Sequence, residues 1–259
     1  MTSVALGDNV EFSMQNDLAI ISSILPPKTI LCRESVKNVN RSKILATNLD
    51  QVFIVISAGN PDTPSGLIDR MIVASLSGGM RVVLCFNKID EQTNNGIDIM
   101  NLYEKLDYPI LKISAKKRDH LEELRERMKG KKSILMGSSG VGKSTIVKSL
   151  TGLSLITSDL NTFSGKGKHT TTVSKLYKID QDTYLADIPG IKQLGFVNVK
   201  NIESFFPEIS KSASQCQFSN CTHTKEESCQ VKADLMQNKI DPRRYESYQK
   251  IGEEINQIR

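Results

Sequence analysis

The chain has 259 residues, 39% hydrophobic and 24% charged, and its 34 Lys and Arg outnumber 29 Asp and Glu for a net charge of +5. That composition is globular and excludes a low-complexity or intrinsically disordered chain. No apolar run approaches the ~20 residues of a membrane-spanning helix, and "MTSVALGDNVEF" has no basic stretch leading into an apolar one, so a cytoplasmic protein without a membrane partner is expected. The mild positive excess permits a polyanionic partner without requiring one.

From residue 1 to about 45 the pattern is short-period. "DNVEFSM" and "LAIISSI" alternate apolar and polar positions and predict short strands. The two prolines of "LPPKTILCRESV" rule out a helix there. Next comes "QVFIVIS" (51–57), a near-continuous apolar run that predicts a strand buried on both faces. "PSGLIDRMIVASLSGG" has helical spacing and a glycine stop.

A second buried strand (81–87), a helix (95–106), a strand (109–114) and a helix starting at His120 (120–130) follow. A strand (132–137) then leads into a helix from about Gly142. Strands alternating with helices predict an α/β fold with a parallel sheet. "KLYKIDQDTYLADIPG" (175–190) predicts a hairpin, "CQFSNCTHTKEESC" has no periodicity, and "DPRRYESYQKIGEEINQIR" predicts one terminal helix. The expected units are a β unit at 1–45, an α/β domain at 46–204 and a small α domain at 205–259.

Gly137, Ser138, Ser139, Gly140, Val141, Gly142, Lys143 and Ser144 fit G-x-x-x-x-G-K-S/T, and Thr145 follows. The glycines let successive N–H groups face a phosphate, and the helix N-terminus adds partial positive charge. Lys143 is expected on the β and γ phosphates and the Ser144 hydroxyl on Mg2+.

Asn87, Lys88, Ile89 and Asp90 cap a buried strand. An ionised Asp90 can accept from the paired N1–H and N2 amino donors of guanine, whereas adenine leaves it unpaired at a cost of a few (~1–3) kcal/mol. Lys88 can lie along the base and Asn87 can tie this loop to the phosphate loop. Ser114, Ala115 and Lys116 end the next strand, where the Ala115 N–H is expected to donate to guanine O6.

Asp187-Ile188-Pro189-Gly190 fits D-x-x-G, with Asp187 holding Mg2+ through water and the Gly190 N–H sensing the γ-phosphate. In "GKGKHTTT" (165–172), Thr171 or a neighbouring threonine is expected to complete the Mg2+ shell. Ile191 stands where Ras-like proteins carry a glutamine, so His169 is the candidate for aligning the attacking water, or else a partner contact. Cys216, Cys221, His223 and Cys229 place three thiols and an imidazole close together, a set suited to one structural zinc ion. Cys32 and Cys85 read as core residues.

The base-reading segments precede the phosphate loop, the reverse of ordinary guanine-nucleotide switches. A sheet keeps every contact if its neighbouring termini are joined and the chain is opened elsewhere, so this order fits a circularly permuted, Ras-like P-loop GTPase domain.

The chain resembles the RsgA, or YjeQ, family of small-subunit-dependent GTPases. The resemblance runs through "NLDQVFIVIS", "GLIDRMIVA", "NKID", "SAK", "GSSGVGKST", "GKHTTT", "DIPG", "FFPEI" and the cysteine cluster, in that order. It implies an N-terminal OB-fold-like β unit, which is short here, a permuted GTPase domain and a C-terminal α zinc domain whose ligands have this order. It also implies GTP hydrolysis to GDP stimulated by the small ribosomal subunit, contact with its rRNA, and a role in late subunit maturation. A monomer without a DNA partner is expected. Read without the resemblance, the residues also allow a P-loop ATPase or kinase, or a zinc-stabilised RNA-binding module.

Overall fold

The protein is described here by a computed structural model covering residues 4–34, 44–151, 174–188 and 193–257. Strands β1 (Val10–Gln15) and β2 (Leu18–Ile24) form an antiparallel hairpin. Its turn uses Asn16 and Asp17 at φ 47° and 62°, a left-handed conformation that these two residue types tolerate. Strands β3 (Ile30–Cys32) and β4 (Ile44–Thr47) form a second antiparallel pair. The two pairs are separate sheets, so the short β unit expected at 1–45 closes no barrel among the described residues. The 45/46 boundary falls inside β4, which also meets Leu6 in an isolated bridge at Ala46.

The following elements alternate: β5 (Gln51–Ser57), α1 (Ser65–Ser77), β6 (Arg81–Asn87), α2 (Asn94–Glu104), β7 (Ile110–Lys112), α3 (Leu121–Met128), β8 (Lys132–Met136) and α4 (Lys143–Thr151). Strands β9 (Lys175–Lys178) and β10 (Tyr184–Asp187) form the expected hairpin. One sheet results, ordered β7-β6-β5-β8-β10-β9, parallel except for β9.

The apolar run of β5 is explained by its two covered faces. Val52, Ile54 and Ile56 join a core with Ile68 and Ile72 of α1 and Met100 and Tyr103 of α2. Phe53 and Val55 join another with Leu124 of α3 and Ile146 and Leu150 of α4. Each such side chain contributes about 1.5–3 kcal/mol by leaving water.

Helices α5 (Pro207–Ala213), α6 (Gln230–Met236) and α7 (Pro242–Gln257) complete the chain. They do not stand apart. Phe206, Ile209, Val231, Tyr248, Ile251 and Ile255 belong to the same core as α1 and β5. An ionic knot is buried in this joint. The Arg244 guanidinium, 1% exposed, donates to Asp69 Oδ1 on α1, while its Nε donates to Glu208 Oε1 at 2.6 Å. It also lies 4.5 Å from the Phe206 ring centroid, and Tyr103 donates to Asp69 at 2.5 Å. The cysteine-containing segment is therefore packed onto the α/β domain.

Candidate functional site

The strands β5, β6, β7, β8 and β10 are parallel, so their carboxyl ends share one edge of the sheet, where ligands bind in such folds. The guanine-loop candidate follows β6, Ser114–Lys116 follows β7, the phosphate loop follows β8, and Asp187 closes β10. Four segments far apart in the chain thus meet.

Gly137 to Gly142 connect β8 to α4. Gly142 has φ 101°, and a Cβ there would lie 2.2 Å from Asn87 Nδ2. Only glycine meets both conditions. Lys143 Nζ folds back over the loop and donates to the carbonyls of Gly137 at 2.8 Å and Ser138 at 2.7 Å. Burial lowers its pKa from the ordinary lysine value, opposed by the nearby Asp187 charge. Asp187 is shifted upward by burial, against the pull of Lys175 and Lys143. Ser139, Gly140, Ser144 and Thr145 are exposed at the loop and the start of α4, and Val141 is buried beneath them.

Asn87 is 2% exposed and holds the site together. Its Nδ2 donates to the Val141 carbonyl at 2.9 Å, and its Oδ1 accepts from the Ala115 N–H at 3.0 Å. The first bond is the expected tie to the phosphate loop. The second was not expected: the N–H assigned to guanine O6 donates to Asn87. Lys88 sits in a left-handed conformation at φ 64° and donates through Nζ to the Asn60 carbonyl. Ile89 and Asp90 form a short turn with Glu91, to which Lys116 pairs at 2.7 Å. A hydrogen bond from Ser114 holds the Asp90 carboxyl below the ordinary carboxylate range. The other expected residues, His169, Thr171 and Gly190, and the segment 165–172, lie outside the described residues.

Cys216, Cys221, His223 and Cys229 converge, with their ligand atoms all within 4.8 Å of one another. His223 Nδ1 lies 3.6 Å from Cys216 Sγ and 3.4 Å from Cys229 Sγ. Thiolate–zinc bonds of about 2.3 Å put tetrahedral ligands about 3.8 Å apart, so the donor set and its spacing fit zinc. The other ring nitrogen, Nε2, faces Glu203 Oε1 at 3.1 Å, the carboxylate–histidine pairing that orients a metal ligand. Glu226 accepts from the Thr222 and Thr224 N–H groups, and those bonds pull its pKa down to about 2. Cys32 and Cys85 are buried as expected, and burial pushes Cys85 up to about 12, leaving it an inert thiol.

Sequence reading missed Arg244, Asp69 and Glu208. A signal existed: Arg244 shares a helical face with Tyr248, Ile251 and Ile255, where an unpartnered charge would not be tolerated.

A parallel sheet with a phosphate loop on its central strand, reached by guanine-type loops that come earlier in the chain, defines a circularly permuted P-loop GTPase. The RsgA GTPase family matches residues 24–197. The Small ribosomal subunit biogenesis GTPase RsgA of Flavobacterium johnsoniae is 36% identical over 261 residues, covering 96% of this chain and 80% of that protein. Its namesake in Bacteroides fragilis is 36% identical over 253 residues, covering 95% and 82%.

Among solved structures, YjeQ from Thermotoga maritima superposes with a TM-score of 0.72 at 30% identity, covering 97% of this chain and 84% of that one. YloQ, a circularly permuted GTPase, shares the fold with a TM-score of 0.71 at 23% identity, covering 99% and 82%. The chain belongs to the RsgA GTPase family and is a GTP hydrolase. No helix among the described residues is long and apolar enough to cross a membrane.

Proposed function

We propose that this GTPase acts in ribosome biogenesis: it binds the small ribosomal subunit and its rRNA in the GTP state, hydrolyses GTP when the subunit stimulates it, and leaves late in subunit maturation. The protein works as a cytoplasmic monomer in this reading, without DNA or membrane. The observation that carries it is the Asn87 bridge, which joins a guanine-type loop to a phosphate loop in a chain of this family. The names of the relatives supply the subunit.

In the proposed mechanism Asp90 accepts from the guanine N1–H and N2 groups, and Lys88 lies along the base. Asn87, Ile89, Ser114, Ala115 and Lys116 frame that pocket. The loop from Gly137 to Gly142 cradles the phosphates, with Lys143 moving from the Gly137 and Ser138 carbonyls to the β and γ oxygens. That move exchanges two neutral acceptors for charged ones, which strengthens each bond. Ser144, exposed on the first turn of α4, and Thr171 would hold Mg2+, with Asp187 reaching it through water. The ion would neutralise charge developing on the phosphates. Gly190 senses the γ-phosphate, and His169 aligns the attacking water. The Cys216, Cys221, His223, Cys229 set would hold one structural zinc and leaves it no open position.

The test is the rate of GTP hydrolysis with and without purified small subunits, with the Lys143→Ala protein as a blank. A rise of at least tenfold on adding subunits is expected. An unchanged rate with bound guanine nucleotide would remove the subunit from the reading, and equal competition by ATP would remove the guanine site.

A further inference from the structure

Arg70 lies on α1, within the α/β domain, and its guanidinium joins two other parts of the chain. Nη1 donates to Glu254 Oε2 at 2.6 Å and Nη2 to Glu254 Oε1 at 2.9 Å, a two-pronged grip on the terminal helix α7. Nη2 also donates to the Leu194 carbonyl at 2.6 Å. The plane of the group lies over Phe196, its carbon 4.8 Å from the ring centroid.

Leu194 and Phe196 are 4% and 2% exposed, and Val197 N donates to Ser77 Oγ at the C-terminal end of α1. This pinned segment begins four residues after Gly190, by sequence count. Its upstream neighbour is therefore the D-x-x-G element that answers to the γ-phosphate in the reading given above. Its downstream continuation is Glu203, which faces the zinc-site His223.

We infer that Arg70 is a positioning residue that couples the nucleotide site to the cysteine-containing unit. One guanidinium holds both the chain leaving the D-x-x-G element and the helix that packs the zinc unit onto the sheet. A displacement of Leu194 draws on the same donor that holds Glu254, so the carbonyl and carboxylate compete for it. The fork is suited to this work because it has fixed donor directions. Lysine would supply the charge but not both directions at once.

The inference rests on the GTPase reading, and its test separates the two. Amide hydrogen exchange of α7 is followed in the GDP complex and in the complex with a non-hydrolysable GTP analogue, while a fluorescent GDP reports binding. Wild-type protein is expected to exchange at least threefold differently in α7 between the two complexes. The near-isosteric Glu254→Gln, and independently Arg70→Lys, are expected to erase that difference while GDP affinity stays within twofold and zinc content is unchanged.

A wild-type protein that binds both nucleotides but shows no difference in α7 overturns the inference. So does a Glu254→Gln protein that keeps the full difference. Failure of the wild type to bind guanine nucleotide overturns the GTPase reading itself, and this inference with it.

Discussion

The Asn87 amide donates to the Val141 carbonyl at 2.9 Å, which fastens the loop that follows β6 to the loop that follows β8. Its oxygen accepts at the same time from the Ala115 N–H, so one buried side chain fixes three loops. Asn87→Asp keeps the shape and the acceptor but removes the donor, and sets a carboxylate against a carbonyl. Leaving such a buried group unpaired costs about 1–3 kcal/mol. GDP affinity, measured by fluorescence titration, is expected to fall about 10–100-fold. An unchanged affinity would mean that the bridge does not organise the site.

Asp90 is expected to choose the base. Asp90→Asn turns one acceptor into a donor, which suits the N1 and O2 edge of xanthine and clashes with guanine. GTP affinity should drop by about two orders of magnitude while xanthosine triphosphate affinity rises. Competition titrations with both nucleotides and ATP measure this. Retained preference for GTP would place the base elsewhere.

The Ser114 hydroxyl sets how far into acid this recognition lasts. Its hydrogen bond lowers the Asp90 pKa below the ordinary 3.8. Recognition by the ionised carboxylate is therefore fully present above that ordinary value and is lost as pH falls through the lowered one. Ser114→Ala should raise the Asp90 pKa and shift the acid limb of GTP affinity towards higher pH. Affinity followed from neutral pH downward for both proteins checks the direction, and coincident curves would exclude a role for Ser114.

The zinc site is expected to depend on Glu203. His223 offers Nδ1 to the thiols and turns Nε2 to Glu203 at 3.1 Å. Glu203→Gln keeps a partner but loses the charge, and zinc affinity should fall about 10–100-fold, read by competition with a chelating dye. Cys229→Ser should lose the metal outright. Zinc content equal to wild type in the serine variant would rule out the proposed ligand set.

Arg244 joins the terminal helix α7 to α1 and α5 through buried ion pairs. It is 1% exposed, against Asp69 at 0%, whose carboxyl is pushed upward by burial and drawn down by the Arg244 charge. Arg244→Ala leaves that carboxylate buried without its cation, at about 3–5 kcal/mol. Thermal melting should drop by about 10 °C. A loss of only a degree or two would mean that the knot is not what holds the terminal helices.

The alternation of apolar runs and helical repeats was enough for the order of strands β5 to β8 and helices α1 to α4, because parallel strands buried on both faces need apolar side chains throughout. Strand ends were less legible. The run expected at 109–114 forms a strand only over Ile110–Lys112, since pairing with β6 covers just that stretch. The terminal helix was legible from its amphipathic spacing. Its attachment to α1 was not, because Arg244, Asp69 and Glu208 lie on three separate segments.

The sequence by itself supplied the loop motifs on which the proposed phosphate cradle and guanine pocket rest, since each needs a few residues at fixed local spacing, and local spacing survives any change in chain order. Only the tertiary structure decided what else those loops are joined to. The Ala115 N–H donating to Asn87, and Arg70 and Arg244 binding the terminal helix, are meetings between distant segments. Such meetings are set by how strands register in the sheet and how helices pack across it, and no local pattern of residues encodes that.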